Sequence, residues 1–251
     1  MKTVVIIPAR LASSRFPGKP LVDILGKTMI EHVWRRTSMC KILDEVWVAT
    51  PDKEIFDVVE KFGGKAIMTR PDHVMAMDRL AEANETIRAD LVVNVQGDEP
   101  LIYPEMIEAI TKPMQEDDSY ACGTLVQKIT DLSEVEDRNR VKVVRNLKGD
   151  ALFYSREAIP SKAKTKEPID YYKMVCVYPI RQQSLRDFTK WGMSPLETIE
   201  SIDLLRFLEH GGKVKVVETE QETFNVDNED DLVRVREIMK NDLLFRTYIT
   251  G

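Results

Sequence analysis

Three short stretches carry residue types and spacings suited to phosphate chemistry. The first is Ala9–Pro20, ARLASSRFPGKP, which sets Arg10, Arg15 and Lys19 among the small residues Ala12, Ser13, Ser14 and Gly18. Cations on a flexible backbone suit a polyphosphate. It is no P-loop, because GKP stands where GK[ST] is required, and GxGxxG is absent as well. The plainer reading of the loop is an exposed basic segment that binds nothing. The second stretch, Val95–Pro100 (VQGDEP), offers Asp98; it also reads as an ordinary turn built on Gly97-Asp98. The third, Asn225–Asp231 (NVDNEDD), offers Asp227, while Asp230 and Asp231 suit the start of a helix. One or two carboxylates beside substrate phosphates are what Mg²⁺ asks for.

Other constellations are missing. No Ser/His/Asp or Cys/His arrangement is visible around His32, His73 and His210. Of these, His73 is the one expected near a site. Cys40, Cys122 and Cys176 are odd in number and widely spaced, which argues against a disulfide framework or a zinc site. Glu197 and Glu200 share a helical face, read either as solvated or as partners for sugar hydroxyls.

The elements that must position these groups follow from hydrophobic patterning. Thr3–Pro8, Glu45–Thr50, Ala66–Thr69 and Leu91–Val95 are short apolar runs without clean alternation, as in strands buried on both faces. Helices are expected over Met29–Met39, Asp52–Phe62 and Asp78–Ile87. That series predicts an α/β chain with a parallel, doubly wound sheet, whose ligands lie beyond the carboxyl ends of the strands. Asp98 and the basic loop would then share one sheet edge. Further on, Ala121–Lys128, Val141–Arg145, Ala151–Ser155, Met174–Ile180 and Lys213–Val217 read as strands. Leu196–His210 and Glu229–Lys240 read as helices, and Ser161–Lys166 as a mobile loop. One α/β domain over residues 1–251, with a β-rich insertion over approximately 121–185, fits this order.

Composition bounds the partners. The 251 residues include 42 acidic and 36 basic ones, a net charge of −6, which disfavours nucleic-acid and membrane-surface binders. No apolar run approaches the ~20 residues of a membrane span. The opening VVIIPA lacks a signal-peptide pattern, so a cytoplasmic protein is expected.

Taken together the motifs resemble one family. IIPARLASSRFPGKPLVDILGKTMIEHV, VNVQGDEPLI, RVKVVRNLKGDALFYSREAIP, SPLETIESIDLLRFLEHGGKV and NVDNEDDL are very similar, in order, to segments of the CMP-Kdo synthetases (3-deoxy-manno-octulosonate cytidylyltransferases). The sialic-acid cytidylyltransferases fit less well in the first loop and at QGDEP. The resemblance implies a Rossmann-like nucleotidyltransferase fold (that of the nucleotide-diphospho-sugar transferases), with a mostly parallel mixed sheet and a β-rich insertion through which a homodimer forms. It implies transfer of CMP from CTP to the anomeric hydroxyl of a 2-keto-3-deoxy sugar acid, with release of pyrophosphate. By the same resemblance Pro8, Ala9, Arg10, Arg15, Lys19 and Arg79 serve the nucleotide, and Asp98 and Asp227 hold Mg²⁺. Gln96, Arg156, Tyr178, Glu197 and Glu200 face the sugar acid, and Arg10, Lys19, Asp98 and Asp227 form the catalytic set.

Two segments depart from the family pattern. Where it shows HxSGTDR, this chain has His73-Val74-Met75-Ala76-Met77-Asp78-Arg79; where it shows HIGIY, this chain has Met174-Val175-Cys176-Val177-Tyr178. Polar groups give way to apolar ones at Met75, Met77 and Met174, positions expected at the sugar acid. A pocket that loses hydroxyl partners binds the original acceptor less well. Kdo itself and a modified Kdo-like acid therefore both stand as acceptors. A smaller acid such as a phosphonate, or a non-catalytic nucleotide-binding role, are the alternatives.

Overall fold

The computed structural model describes residues 1–12, 16–73, 75–222 and 224–249. The chain divides into two compact units: Met1–Glu108 with Thr223–Gly251, and Ala109–Glu222. The β-rich segment expected over 121–185 lies within the second.

The first unit opens with β1 (Thr3–Pro8). A 3₁₀ turn (Lys19–Leu21) and the short pair β2 (Asp23–Ile24) and β3 (Lys27–Thr28) follow. Then come α1 (Met29–Ser38), β4 (Glu45–Thr50), α2 (Lys53–Lys61), β5 (Lys65–Met68), α3 (Ala76–Ile87) and β6 (Leu91–Val95). The unit boundary falls within α4 (Pro104–Glu116). The second unit holds β7 (Tyr120–Lys128), α5 (Ser133–Glu136), β8 (Lys142–Arg145), β9 (Ala151–Ser155), β10 (Tyr172–Val175) and β11 (Val177–Arg181). It continues with α6 (Gln182–Trp191), α7 (Pro195–Glu200), α8 (Leu204–Glu209) and β12 (Lys213–Glu218). The chain ends in the first unit with α9 (Glu229–Lys240) and α10 (Leu243–Arg246).

In the first unit β5, β4, β1 and β6 lie side by side, all parallel. Val4, Val5, Ile6 and Ile7 of β1 have no exposed surface, nor do Val92, Val93 and Val95 of β6. Strands covered on both faces need no alternation, which is why these runs are continuously apolar. Replacing Ile6 by Ala would cost about 2–5 kcal/mol. A second apolar cluster joins Met29, Leu101 and Val226 to Leu232, Val235, Met239 and Tyr248, so the last helices pack onto the loops that follow β1 and β6. The buried Arg36 fastens the same region: it donates to Asp242 at 2.9 Å and to the carbonyls of Ile102 (2.7 Å) and Leu101 (3.2 Å).

In the second unit β11, β10, β8 and β9 run antiparallel to their neighbours around β7, and β12 pairs with β7 in parallel.

Several elements differ from the sequence expectation. Leu196–His210 is two helices, because Ser201 adopts a left-handed conformation (φ 54°) that ends α7. Met174–Ile180 is two strands, parted by a bend at Cys176. Helices α4 and α6 carried no clear sequence signal; Pro113 inside α4 reads as a breaker, yet it sits near the helix end.

Candidate functional site

The site is assembled at the carboxyl ends of β1 and β6. Beyond β1, Ala9 stays extended through its N–H to the Ala49 carbonyl (3.0 Å). Leu11 is then pinned by donating its N–H to Asp52 Oδ2 at 2.7 Å. Gly18 closes the loop, its N–H on the Leu11 carbonyl at 2.9 Å and its φ at +74°, a conformation open to glycine at little cost. Lys19 follows directly and opens the 3₁₀ turn.

The Lys19 ammonium joins three segments. It donates to Asp98 Oδ2 at 2.6 Å, to the Val226 carbonyl at 3.0 Å and to Asp227 Oδ1 at 3.5 Å. The Asp98 and Asp227 segments are also tied by backbone, Val226 N–H to the Asp98 carbonyl at 2.9 Å. Asp227 is oriented by Asn225 Nδ2 on its Oδ2 (2.8 Å), and its own N–H donates to Asp231 Oδ2 (2.9 Å). Asp231 and Asn228 form a reciprocal capping box at the start of α9. The acidic run therefore splits its labour: Asp231 caps the helix while Asp227 turns toward Lys19. The two carboxylates, 79 and 208 residues from Lys19 in the sequence, meet it only through the fold. Gly97 is what lets β6 end this close to β1: a Cβ there would stand 2.9 Å from the Pro8 carbonyl oxygen.

A cavity of about 310 Å³ opens beside these groups. Pro8, Ala9 and Arg10 line it from β1, and Gln96, Gly97 and Asp98 from β6. Lys19 borders it, and His73, Met75, Ala76 and Arg79 close it from the start of α3. Arg10 is exposed. Arg79 is 3% exposed, with Nη1 donating to the Thr69 hydroxyl and to the Arg70 carbonyl (3.2 Å). Burial, and then the neighbouring Arg10, hold its guanidinium below its ordinary pKa. Such a group still carries its charge, and its remaining donors suit an anionic or carbonyl-rich ligand. His73 bonds through Nε2 to Glu82 Oε2. Burial pushes the Glu82 carboxyl up, but the bonds from His73 and the Arg70 N–H outweigh it and leave the group below its usual range.

The expected residues are thus distributed unevenly. Pro8, Ala9, Arg10, Lys19, Arg79, Gln96, Asp98 and Met75 border the cavity, and Asp227 reaches it through Lys19. Met77 is corrected: it has no exposed surface and lines no part of the cavity. Helical periodicity turns it inward with Leu80, Ala83 and Ile87, while Ala76 and Arg79 face the opening. Arg15 and Val74 lie outside the described residues.

The remaining five belong to the second unit. Met174 is half-buried in β10 and Tyr178 is buried in β11. Arg156 spends its guanidinium on the carbonyls of Glu200 (2.7 Å), Arg138 (2.9 Å) and Ser201 (3.2 Å). Glu200 accepts from Ser155 Oγ (2.8 Å) and from the Arg156 N–H (2.9 Å). Glu197 does not share a solvated face: it is 1% exposed and forms a two-pronged bond with Arg206, 2.6 Å on each oxygen.

Sequence reading passed over two supports of the site. Asp52 reads as a helix cap, yet its carboxylate holds Leu11 instead; nothing local signals a partner 41 residues away. Asn225 is the other, its amide donating to Asp227 Oδ2 two residues on.

Cations and paired carboxylates beside a cavity at the strand ends of a parallel sheet are the groups that a nucleotidyltransferase of α/β fold needs. The chain belongs to the cytidylyltransferase family, whose model matches residues 4–222. It is 46% identical over 243 residues to the 3-deoxy-manno-octulosonate cytidylyltransferase of Syntrophotalea carbinolica, covering 94% of this chain and 97% of that one. It is 44% identical over 241 residues to the protein of the same name from Syntrophus aciditrophicus, covering 95% and 97%. A solved structure described as CMP:2-keto-3-deoxy-manno-octonic acid synthetase complexed with CTP superposes with a TM-score of 0.93 at 40% identity, over 97% of this chain and all of that one. The 4-diphosphocytidyl-2C-methyl-D-erythritol synthase of Anaerococcus prevotii shares the fold at 14% identity and a TM-score of 0.64, covering 96% and 99%. The resemblance to CMP-Kdo synthetases read from the motifs is borne out.

Proposed function

We propose that this cytidylyltransferase transfers CMP from CTP to the anomeric hydroxyl of a 2-keto-3-deoxy sugar acid, Kdo or a Kdo-like acid, releasing pyrophosphate. The observation that carries this reading is the Lys19 ammonium seated between Asp98 and Asp227 at the edge of the cavity. A site that draws a cation to two carboxylates suits a divalent ion with phosphate oxygens completing its shell. Two hard carboxylate donors that leave the rest of the shell to phosphate oxygens and water fit Mg²⁺ shared with substrate. Asp98 and Asp227 would hold it. When bound, such an ion neutralises phosphate charge and makes an attacking hydroxyl more acidic.

The chain's own residues do the rest by position and field. Arg10 and Lys19 supply positive charge for the triphosphate. Arg79, fixed by Thr69 and the Arg70 carbonyl, presents a rigid donor from the cavity wall. The acceptor oxygen forms a bond to the α-phosphorus as the bond to the β-phosphate bridge breaks. The hydroxyl proton leaves to solvent, and no side-chain nucleophile is required.

The acceptor is the finer part of the reading. Met75 and Ala76 line the cavity where the resembled pattern carries Ser and Gly, which supports an acid altered from Kdo. An acceptor panel with CTP, Mg²⁺ and pyrophosphate detection tests this: best turnover with unmodified Kdo would remove the altered acceptor, and turnover only with short carboxylates or phosphonates would remove the sugar acid. Asp98→Asn is expected to lower turnover by about a thousandfold or more; near-normal rates would refute the metal role. The same reading includes a homodimer formed through the second unit, whose edge strand β9 exposes Leu152; light scattering would report a single-chain mass if it does not form.

A further inference from the structure

Lys19 makes all three of its ammonium contacts within the carboxylate seat: Asp98 Oδ2, the Val226 carbonyl and Asp227 Oδ1. An ammonium has three donors, so this geometry uses its whole capacity. Its side chain is only 15% exposed, against 25% for each carboxylate. The lysine is therefore held inside the site rather than swept across its entrance. A divalent ion added to the same oxygens would meet the ammonium within a few ångströms of itself. Like charges at that range in a partly desolvated site repel strongly.

We propose that Lys19 and the divalent ion compete for Asp98 and Asp227, and that a nucleoside triphosphate relieves the competition by drawing the ammonium onto its phosphates. This rests on the reading of those two carboxylates as ligands of the ion. A lysine is suited to the exchange: it is a compact charge on a flexible stem, able to change acceptors by rotation alone. Neighbours on either side are fixed by other means. Leu11 is held by Asp52, and Asp227 by Asn225 and Asp231, so the seat keeps its shape when Lys19 leaves. Ion and nucleotide then bind with positive coupling, reciprocal by thermodynamic necessity. The ion is taken up strongly only where a triphosphate is already present, which guards the carboxylates against futile metal loading.

The test is a Mn²⁺ titration of the nucleotide-free protein, followed by the electron paramagnetic resonance signal of free Mn²⁺. Wild type should bind weakly, and Lys19→Met should bind about tenfold tighter or more. The variant should also lose affinity for CTP and gain more thermal stability from Mn²⁺ than wild type does. Equal Mn²⁺ affinity in a folded Lys19→Met protein would overturn the proposal. A structure of the wild-type complex with CTP and Mg²⁺ checks it without any variant: Lys19 should leave Asp98 for a phosphate oxygen, and a Lys19 still bonded to Asp98 would overturn it. Asp98→Asn separates this inference from the reading beneath it. If that change leaves Mn²⁺ binding in the CTP complex untouched, the carboxylates are not the ligands and both fail. If it weakens binding while Lys19→Met gains nothing, only the competition fails.

Discussion

Two acid–base clusters of like composition sit in the two units, and they behave differently. In the first, Lys19 meets Asp98 and Asp227 with 15% and 25% of the side chains exposed. In the second, Arg206 meets Glu197 with 4% and 1% exposed. The arginine is clamped on both oxygens of one carboxylate, stacks on the Phe188 ring at 3.6 Å and donates to the Phe188 carbonyl. Three of its five N–H donors are engaged in this way, on a side chain all but closed to solvent. The lysine is a single charge among three acceptors, beside about 310 Å³ of open space. The first pairing is built to be exchanged and the second to stay closed. A residue list alone, Lys or Arg with Asp or Glu, does not tell these apart.

Paired substitutions sharpen the contrast. Glu197→Gln leaves a buried guanidinium without its counter-charge and is expected to cost about 3–5 kcal/mol of stability in chemical denaturation. Asp98→Asn removes one partly exposed partner and should change stability by no more than about 1 kcal/mol, while abolishing turnover. Comparable destabilisation by the two would break the distinction. Gly97→Ala comes next. A methyl 2.9 Å from the Pro8 carbonyl must push the ends of β1 and β6 apart, at a cost of about 1–3 kcal/mol. The loss of CTP binding measured by calorimetry should exceed what the change in melting temperature suggests, because Asp98 is the next residue.

A closed site in the first unit adds a pH dependence. His32 is buried between the Tyr248 hydroxyl (2.9 Å) and the Ile24 carbonyl (2.7 Å). Burial lowers its pKa from 6.5 to about 4, against the opposing bond to Ile24. The unfolded chain therefore binds a proton in the window between those values that the folded chain refuses. Stability is full above pH 6.5 and declines as pH falls toward 4, by about 1.4 kcal/mol per unit from this ring. Ring proton shifts followed by NMR should titrate near 4; a midpoint near 6.5 would show the pocket open to water.

Much of the first unit was legible in the residue order. β1, β4 and β6 fall on their expected bounds, because strands covered on both faces leave an unbroken apolar run. The second unit was harder. Ser201 in a left-handed turn carries no glycine to announce it, so α7 and α8 read as one helix. Glu197 looked available for the same reason: an i,i+3 pair on an uninterrupted helix points one way, and the break lets Arg206 fold back onto it. Met77 was misplaced by treating a motif as a string, when α3 turns successive residues through 100° each.

The family and the chemical character of the strand-end groups were already written in the linear motifs, because phosphate and metal ligands are chosen by residue type. Which charges remain free to change partners was settled by packing. Burial and distance set the cost of moving a charge, and both depend on contacts between residues as far apart as Lys19 and Asp227.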